Sequence, residues 1–122
     1  MHIIAIILTA LVAVEHLYIL WMEMFAWESV GKKTFGGSLP PDLFKPTTNL
    51  AANQGLYNGF LVAGLTWSFL IDDSLWSTNV RLFFLGCVVV AGIFGALTAS
   101  RKIFFLQALP ALLAIIFIII SK

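Results

Sequence analysis

The chain has 122 residues, 61% of them hydrophobic and 11% charged, with a formal net charge of +1 and a mean hydropathy of +1.01. So few charges cannot give each element of a soluble domain a polar face, which excludes an ordinary water-soluble fold and calls for a lipid environment. The Lys and Arg residues are sparse and not interleaved with aromatics, so nothing here would track nucleic-acid phosphates, and no nucleic-acid partner is expected.

The first apolar run extends from about residue 3 to 27. "MHIIAIILTALVAVEH" has no Lys or Arg ahead of its apolar stretch and no clear small-x-small cleavage site, and hydrophobicity resumes beyond His16, so it is expected to be retained. His2 is terminal and reads as idle. A loop follows, "SVGKKTFGGSLPPDLFKPTT", punctuated by three glycines and three prolines and with room for a short interfacial turn. Further apolar runs cover about 48–71, 78–99 and 103–121, joined by the short links "DDSLWS" and "SRK". A bilayer core takes about 20 helical residues to cross, and backbone groups in lipid must be satisfied within their own segment. The expected architecture is therefore all-α: an integral membrane four-helix antiparallel bundle, one domain over residues 1–122.

Lys32, Lys33, Lys45, Arg101 and Lys102 fall on one side of such a bundle, against Arg81, Lys122 and the acidic pair Asp72–Asp73 on the other. The positive-inside rule then places the basic loops in the cytoplasm of a bacterial inner membrane and both termini outside. Small residues recur every four positions at Ala51, Gly55, Gly59 and Ala63, and again at Ala91, Gly95 and Ala99. Such ladders let helix backbones approach closely, within a bundle or between subunits. Pro110 interrupts the last run, where its missing N–H loosens or kinks the helix. The one cysteine, Cys87, lies in apolar sequence and reads as a packing residue.

Against this background the first run carries Glu15, His16 and Glu23. A charged residue near the bilayer centre costs about 2.5–3.5 kcal/mol on insertion scales. At 1.5 Å per residue, Glu15 and His16 lie roughly 15 Å inward of the cytoplasmic end, with Glu23 close to it. The second run enters from the same side with "TNLAANQGLYNGF", which brings Asn53, Gln54, Tyr57 and Asn58 to matching depths. His16 and Glu23 share a helix face, whereas Glu15 points about 100° away on the side of Tyr18 and Met22. In the second run Asn49, Asn53 and Tyr57 form one stripe, beside Gln54 and Asn58. Gln107 and Thr98 lie in the same half. Two outcomes are open: the strips satisfy each other as hydrogen-bonded glue, or they line a pocket open to the cytoplasmic half.

Glu15, His16 and Glu23 are acceptable metal ligands, but no His or Cys pair has ligand spacing, and no metal is expected. Glu15 with His16 also suits a proton relay. No serine stands beside a base in a nucleophile motif, and there is no Gly-rich phosphate loop.

On "EHLYILWMEMFAW" and "NLAANQGLYNGFLVAG", nearly the whole chain resembles a family of small bacterial inner-membrane proteins known as a domain of unknown function. That resemblance implies four helices and no assigned activity. More distantly, the layout is similar to the membrane-associated eicosanoid and glutathione metabolism superfamily. This implies a cytoplasmic first loop, a trimeric homo-oligomer and glutathione as a cosubstrate. Asn53 stands at that superfamily's Asn and Tyr57 near its Glu, while Asn49, Leu50 and Ala51 stand where its basic residues precede.

The expected function is binding or transport of a small amphipathic or lipid-like molecule, with Glu15, His16, Glu23, Asn53, Gln54, Tyr57 and Asn58 as its polar end. A glutathione-dependent membrane transferase and a structural membrane assembly protein are the alternatives, and no cofactor is expected beyond glutathione in the former. Membrane lipids and further copies of the chain are the expected partners.

Overall fold

The computed structural model describes residues 3–121, which are all-helical with no β-strand among them. His2 and Lys122, read above as an idle residue and as part of the charge asymmetry, lie outside the described residues. Helix α1 spans Ile3–Phe25, the short α2 Lys32–Phe35, α3 Thr48–Leu70 and α4 Ser74–Thr98. The last stretch begins as α5, Arg101–Ile103, widens into a π-helical turn over Phe104–Ala108, and continues as α6, Leu109–Ile120. Three helical stretches, Ile3–Phe25, Ser74–Thr98 and Arg101–Ile120, are long and apolar enough to cross a membrane. Helix α3 is as long as α1, 23 residues, but Asn49, Asn53, Gln54 and Asn58 make its first half too polar to join them.

Helix α1 packs against α3 and α6, α3 against α4, and α4 against α6 and the π-helical turn. The shared core consists of Ala5, Val12, Leu65, Leu85, Val88, Ala111, Ala114 and Ile118. The exterior is apolar as well: Phe83, Val90 and Phe94 are exposed, and Leu97 is 81% exposed. Where lipid is the solvent, burying such side chains gains little, and helices are held by close contact at small residues. Gly55 shows the effect, since a Cβ there would stand 2.7 Å from Met24 Cγ and 3.1 Å from the Leu20 carbonyl oxygen. Gly92 is tighter still, with Ala108 Cβ and backbone N both 2.7 Å from the position of an added Cβ. In α4 the contact face thus runs through Leu85, Val88 and Gly92; of the expected Ala91–Gly95–Ala99 ladder, Ala91 and Ala99 are exposed. In α3, Ala51 and Gly55 are buried while Ala63 is exposed.

Sequence chemistry explains the helix ends. Asp73 caps α4, its Oδ1 accepting from the Trp76 backbone N–H at 3.0 Å, so the helix starts about a turn ahead of the expected residue 78. Proline at 110 has no N–H for the Leu106 carbonyl and its ring crowds that oxygen. The helix answers with the wider π-helical turn immediately before it. The first loop folds onto the end of α1 around Trp27, which opens a π-helical turn over Trp27–Gly31. Trp27 Nε1 donates to Thr47 Oγ1 at 2.9 Å, and its ring lies 5.8 Å from Phe35 and 5.0 Å from Phe44. A 3₁₀ turn, Pro41–Leu43, leads into Phe44, which is 1% exposed.

Candidate functional site

The polar residues of α1 face three different surroundings. Glu23 meets α3: Asn58 Nδ2 donates to Glu23 Oε1 at 2.6 Å and lies 3.3 Å from the Gln54 carbonyl of its own helix. This is the expected bridge between the two runs, made by one pair. Hydrogen bonds between helices in lipid are worth about 0.6 kcal/mol on average and about 1.7 at most. A double-mutant cycle of Glu23→Leu and Asn58→Leu, read by unfolding in detergent, should therefore return a coupling of about 0.6–1.7 kcal/mol. Strict additivity would show that the pair contributes nothing.

His16 is fully buried. Its Nδ1 lies 2.8 Å from the Val12 carbonyl one turn back. A carbonyl only accepts, so the proton sits on Nδ1 and Nε2 is left as an acceptor. Nε2 is buried and receives no hydrogen bond from the described residues. The ring belongs to the contact face that also carries Thr9, whose hydroxyl donates to the Ala5 carbonyl at 2.7 Å.

Glu15 projects elsewhere, into a cavity of about 320 Å³ between α1, α2 and the stretch leading into α6. Val14, Ile19, Met22, Phe35, Ile103 and Leu106 supply apolar wall, while Thr34, Ser100, Lys102 and Gln107 supply the polar groups around Glu15. Tyr18 shares this lining, as the helical spacing of Glu15, Tyr18 and Met22 requires. Glu15 Oε2 is buried and accepts no hydrogen bond from the described residues. The π-helical turn helps to shape the cavity, because it carries Leu106 and Gln107 into the wall.

The remaining α3 residues do not join either group. Asn53 and Gln54 are exposed, and so is Tyr57, whose ring packs 5.8 Å from Phe60 on its own helix. The face turned to α1 is that of Gly55 and Gly59, so among the described residues the polar stripes of α3 meet those of α1 through Asn58. No three His, Cys, Asp or Glu side chains gather among the described residues in a way that could hold a metal.

Sequence reasoning left one buried polar group at the loop edge. Arg81 is 3% exposed; its Nε donates to Ser68 Oγ at 3.1 Å and its Nη2 to the Ser68 carbonyl at 3.3 Å. The guanidinium also lies 4.1 Å from the centre of the Phe69 ring, a cation–π contact. Ser77, one turn before Arg81, donates to the Ser68 carbonyl at 2.6 Å. The Ser77–Arg81 spacing, facing Ser68 across a short link, was the available signal. This cluster ties the end of α3 to the start of α4.

Among the described residues these features define an all-helical protein with three helices of membrane-crossing length and composition and a small, largely apolar cavity around one carboxylate. The chain belongs to the DUF1304 family, described as a protein of unknown function, whose model matches residues 10–119. It is 36% identical over 124 residues to the uncharacterized protein YpaA of Lactococcus lactis, covering 95% of this chain and 97% of that protein. No solved structure matches it.

Proposed function

We propose that the chain is an integral protein of the bacterial inner membrane that binds or carries a small amphipathic or lipid-like molecule in the cavity around Glu15. In this reading α3 crosses the membrane with the other three long helical stretches, giving an antiparallel four-helix bundle with the basic loops in the cytoplasm and both termini outside. The short links on either side of α4 favour antiparallel neighbours, and the lysines at 32, 33, 45 and 102 with Arg101 favour that orientation. The exposed carboxamides of Asn53 and Gln54 favour a homo-oligomer, since each is both donor and acceptor and can pair with its like on another copy.

The observation that carries the reading is the cavity itself. Its volume of about 320 Å³ lies at the small end of ligand sites, and apolar walls with a few polar groups are the usual composition of one. Purification in native lipid, followed by mass spectrometry of retained small molecules, tests it. The native chain should retain a molecule that Leu106→Trp, which fills the cavity, no longer holds while keeping its unfolding temperature. Equal retention by both chains, or none by either, would sink the proposal. Stabilisation by added glutathione would instead favour a transferase.

A further inference from the structure

We propose that the cavity recognises a lipophilic amine: a compact apolar body carrying one ammonium group that reaches Glu15. The inference rests on the reading of the cavity as a ligand site and adds the chemistry of the ligand.

Glu15 sets the demand. The buried Oε2 receives no hydrogen bond from the described residues, so the cavity holds an acceptor that the chain does not supply with a donor. A group in that state is costly unless something entering the cavity supplies donors, and a cation supplies both donors and opposite charge. The chain's own candidate is Lys102, which lines the same cavity. Lys102 is exposed and makes no ion pair with Glu15 among the described residues. Its place in α5, beside Ser100, sets it at the loop end of the cavity, whereas Glu15 lies well inside α1.

The walls select the rest of the molecule. Val14, Ile19, Met22, Phe35, Ile103 and Leu106 offer no hydrogen bonds from their side chains, so the body of the ligand must be apolar. A fatty acid is the alternative that Lys102 invites. Seated with its carboxylate on Lys102, it would turn its tail toward Glu15 and leave Oε2 without a donor; seated the other way, it would set two carboxyl groups together. A fatty alcohol supplies one donor and no charge. The amine alone answers Glu15 and keeps its distance from Lys102.

The test uses three probes with one chain length, decylamine, decanol and decanoate, titrated against the full chain in nanodiscs of neutral lipid. Leu106→Trp serves as the blank for partition into the lipid. Hydrogen bonds to charged groups are worth about 1.5–3 kcal/mol, so decylamine should bind about ten- to a hundredfold more tightly than decanol. Decanoate should bind more weakly still. Glu15→Gln should remove that advantage of decylamine, and an unfolding temperature equal to that of the native chain shows that the variant is folded. Lys102→Gln should tighten decylamine binding, because a like charge is removed.

Decanol or decanoate binding as tightly as decylamine would overturn the amine assignment and leave the ligand site standing. So would an unaltered preference for decylamine in Glu15→Gln. If none of the three probes binds above the Leu106→Trp blank, the amine assignment falls. If native-lipid purification also recovers no retained molecule, the ligand site falls with it.

Discussion

Replacement of Gly92 by alanine should lower the unfolding free energy by about 1–3 kcal/mol, and replacement by valine by more. The cause is the crossing of α4 with the π-helical turn. The added Cβ would meet Ala108 Cβ and N at 2.7 Å and Cα at 3.0 Å, and backbone atoms cannot rotate aside as a long side chain can. The helices would have to separate, opening the core at Leu85, Val88 and Ala111. Gly86, on the same helix, provides the internal comparison because nothing lies within 4 Å of its added Cβ. Gly86→Ala should raise stability by about 0.5–1 kcal/mol through helix propensity alone. Thermal unfolding of both variants in one detergent, followed by circular dichroism, checks the pair. Equal shifts would show that the crossing is not tight in the folded protein.

Phe44→Ala should have a comparable or larger effect, centred on the first loop. Truncating a buried phenylalanine costs about 3–5 kcal/mol, and Phe44 is 1% exposed beneath the Trp27 ring. Trp27 also contacts Phe35, which with Thr34 forms the α2 part of the cavity wall. Loss of Phe44 should therefore free the loop and leave that wall without support. Limited proteolysis between residues 28 and 47 should accelerate strongly, and ligand retention should fall even where the long helices stay folded. A loop that remains protease-resistant would show that Trp27 and Phe35 hold it without Phe44.

The helical class was legible because apolar runs of bilayer length leave the backbone one economical conformation. The direction of Glu15 was legible too, since the spacing of Glu15, Tyr18 and Met22 puts them on one side of a helix whatever packs there. The rotation of α3 was not. Its polar residues and its small residues form separate stripes, and in lipid the second can decide the contact. Gly55 and Gly59 take the face toward α1 because they allow close approach, and Asn53, Gln54 and Tyr57 turn outward as a consequence. Among the described residues of α3, Asn58 is the one whose side chain hydrogen-bonds Glu23. Arg81 was hidden for a related reason: its position near a helix end reads as solvent-facing until Ser68 is brought opposite it. Pro110 announced a disturbed helix, though its form and extent depend on how the backbone relieves the missing hydrogen bond.

That disturbance fixes the phase of the last helix. A π-helical turn takes up one residue more than an α-turn, so everything beyond it is rotated by about 100° relative to an unbroken helix. The stretch from Arg101 to Ile120 thus carries two frames in one rod. Ile103, Leu106 and Gln107 are set in one frame against the cavity, and Ala111, Ala114 and Ile118 in the other against the core. A single-residue deletion between 104 and 108 would merge the frames, so that one of these two sets would have to leave its place for the other to keep it.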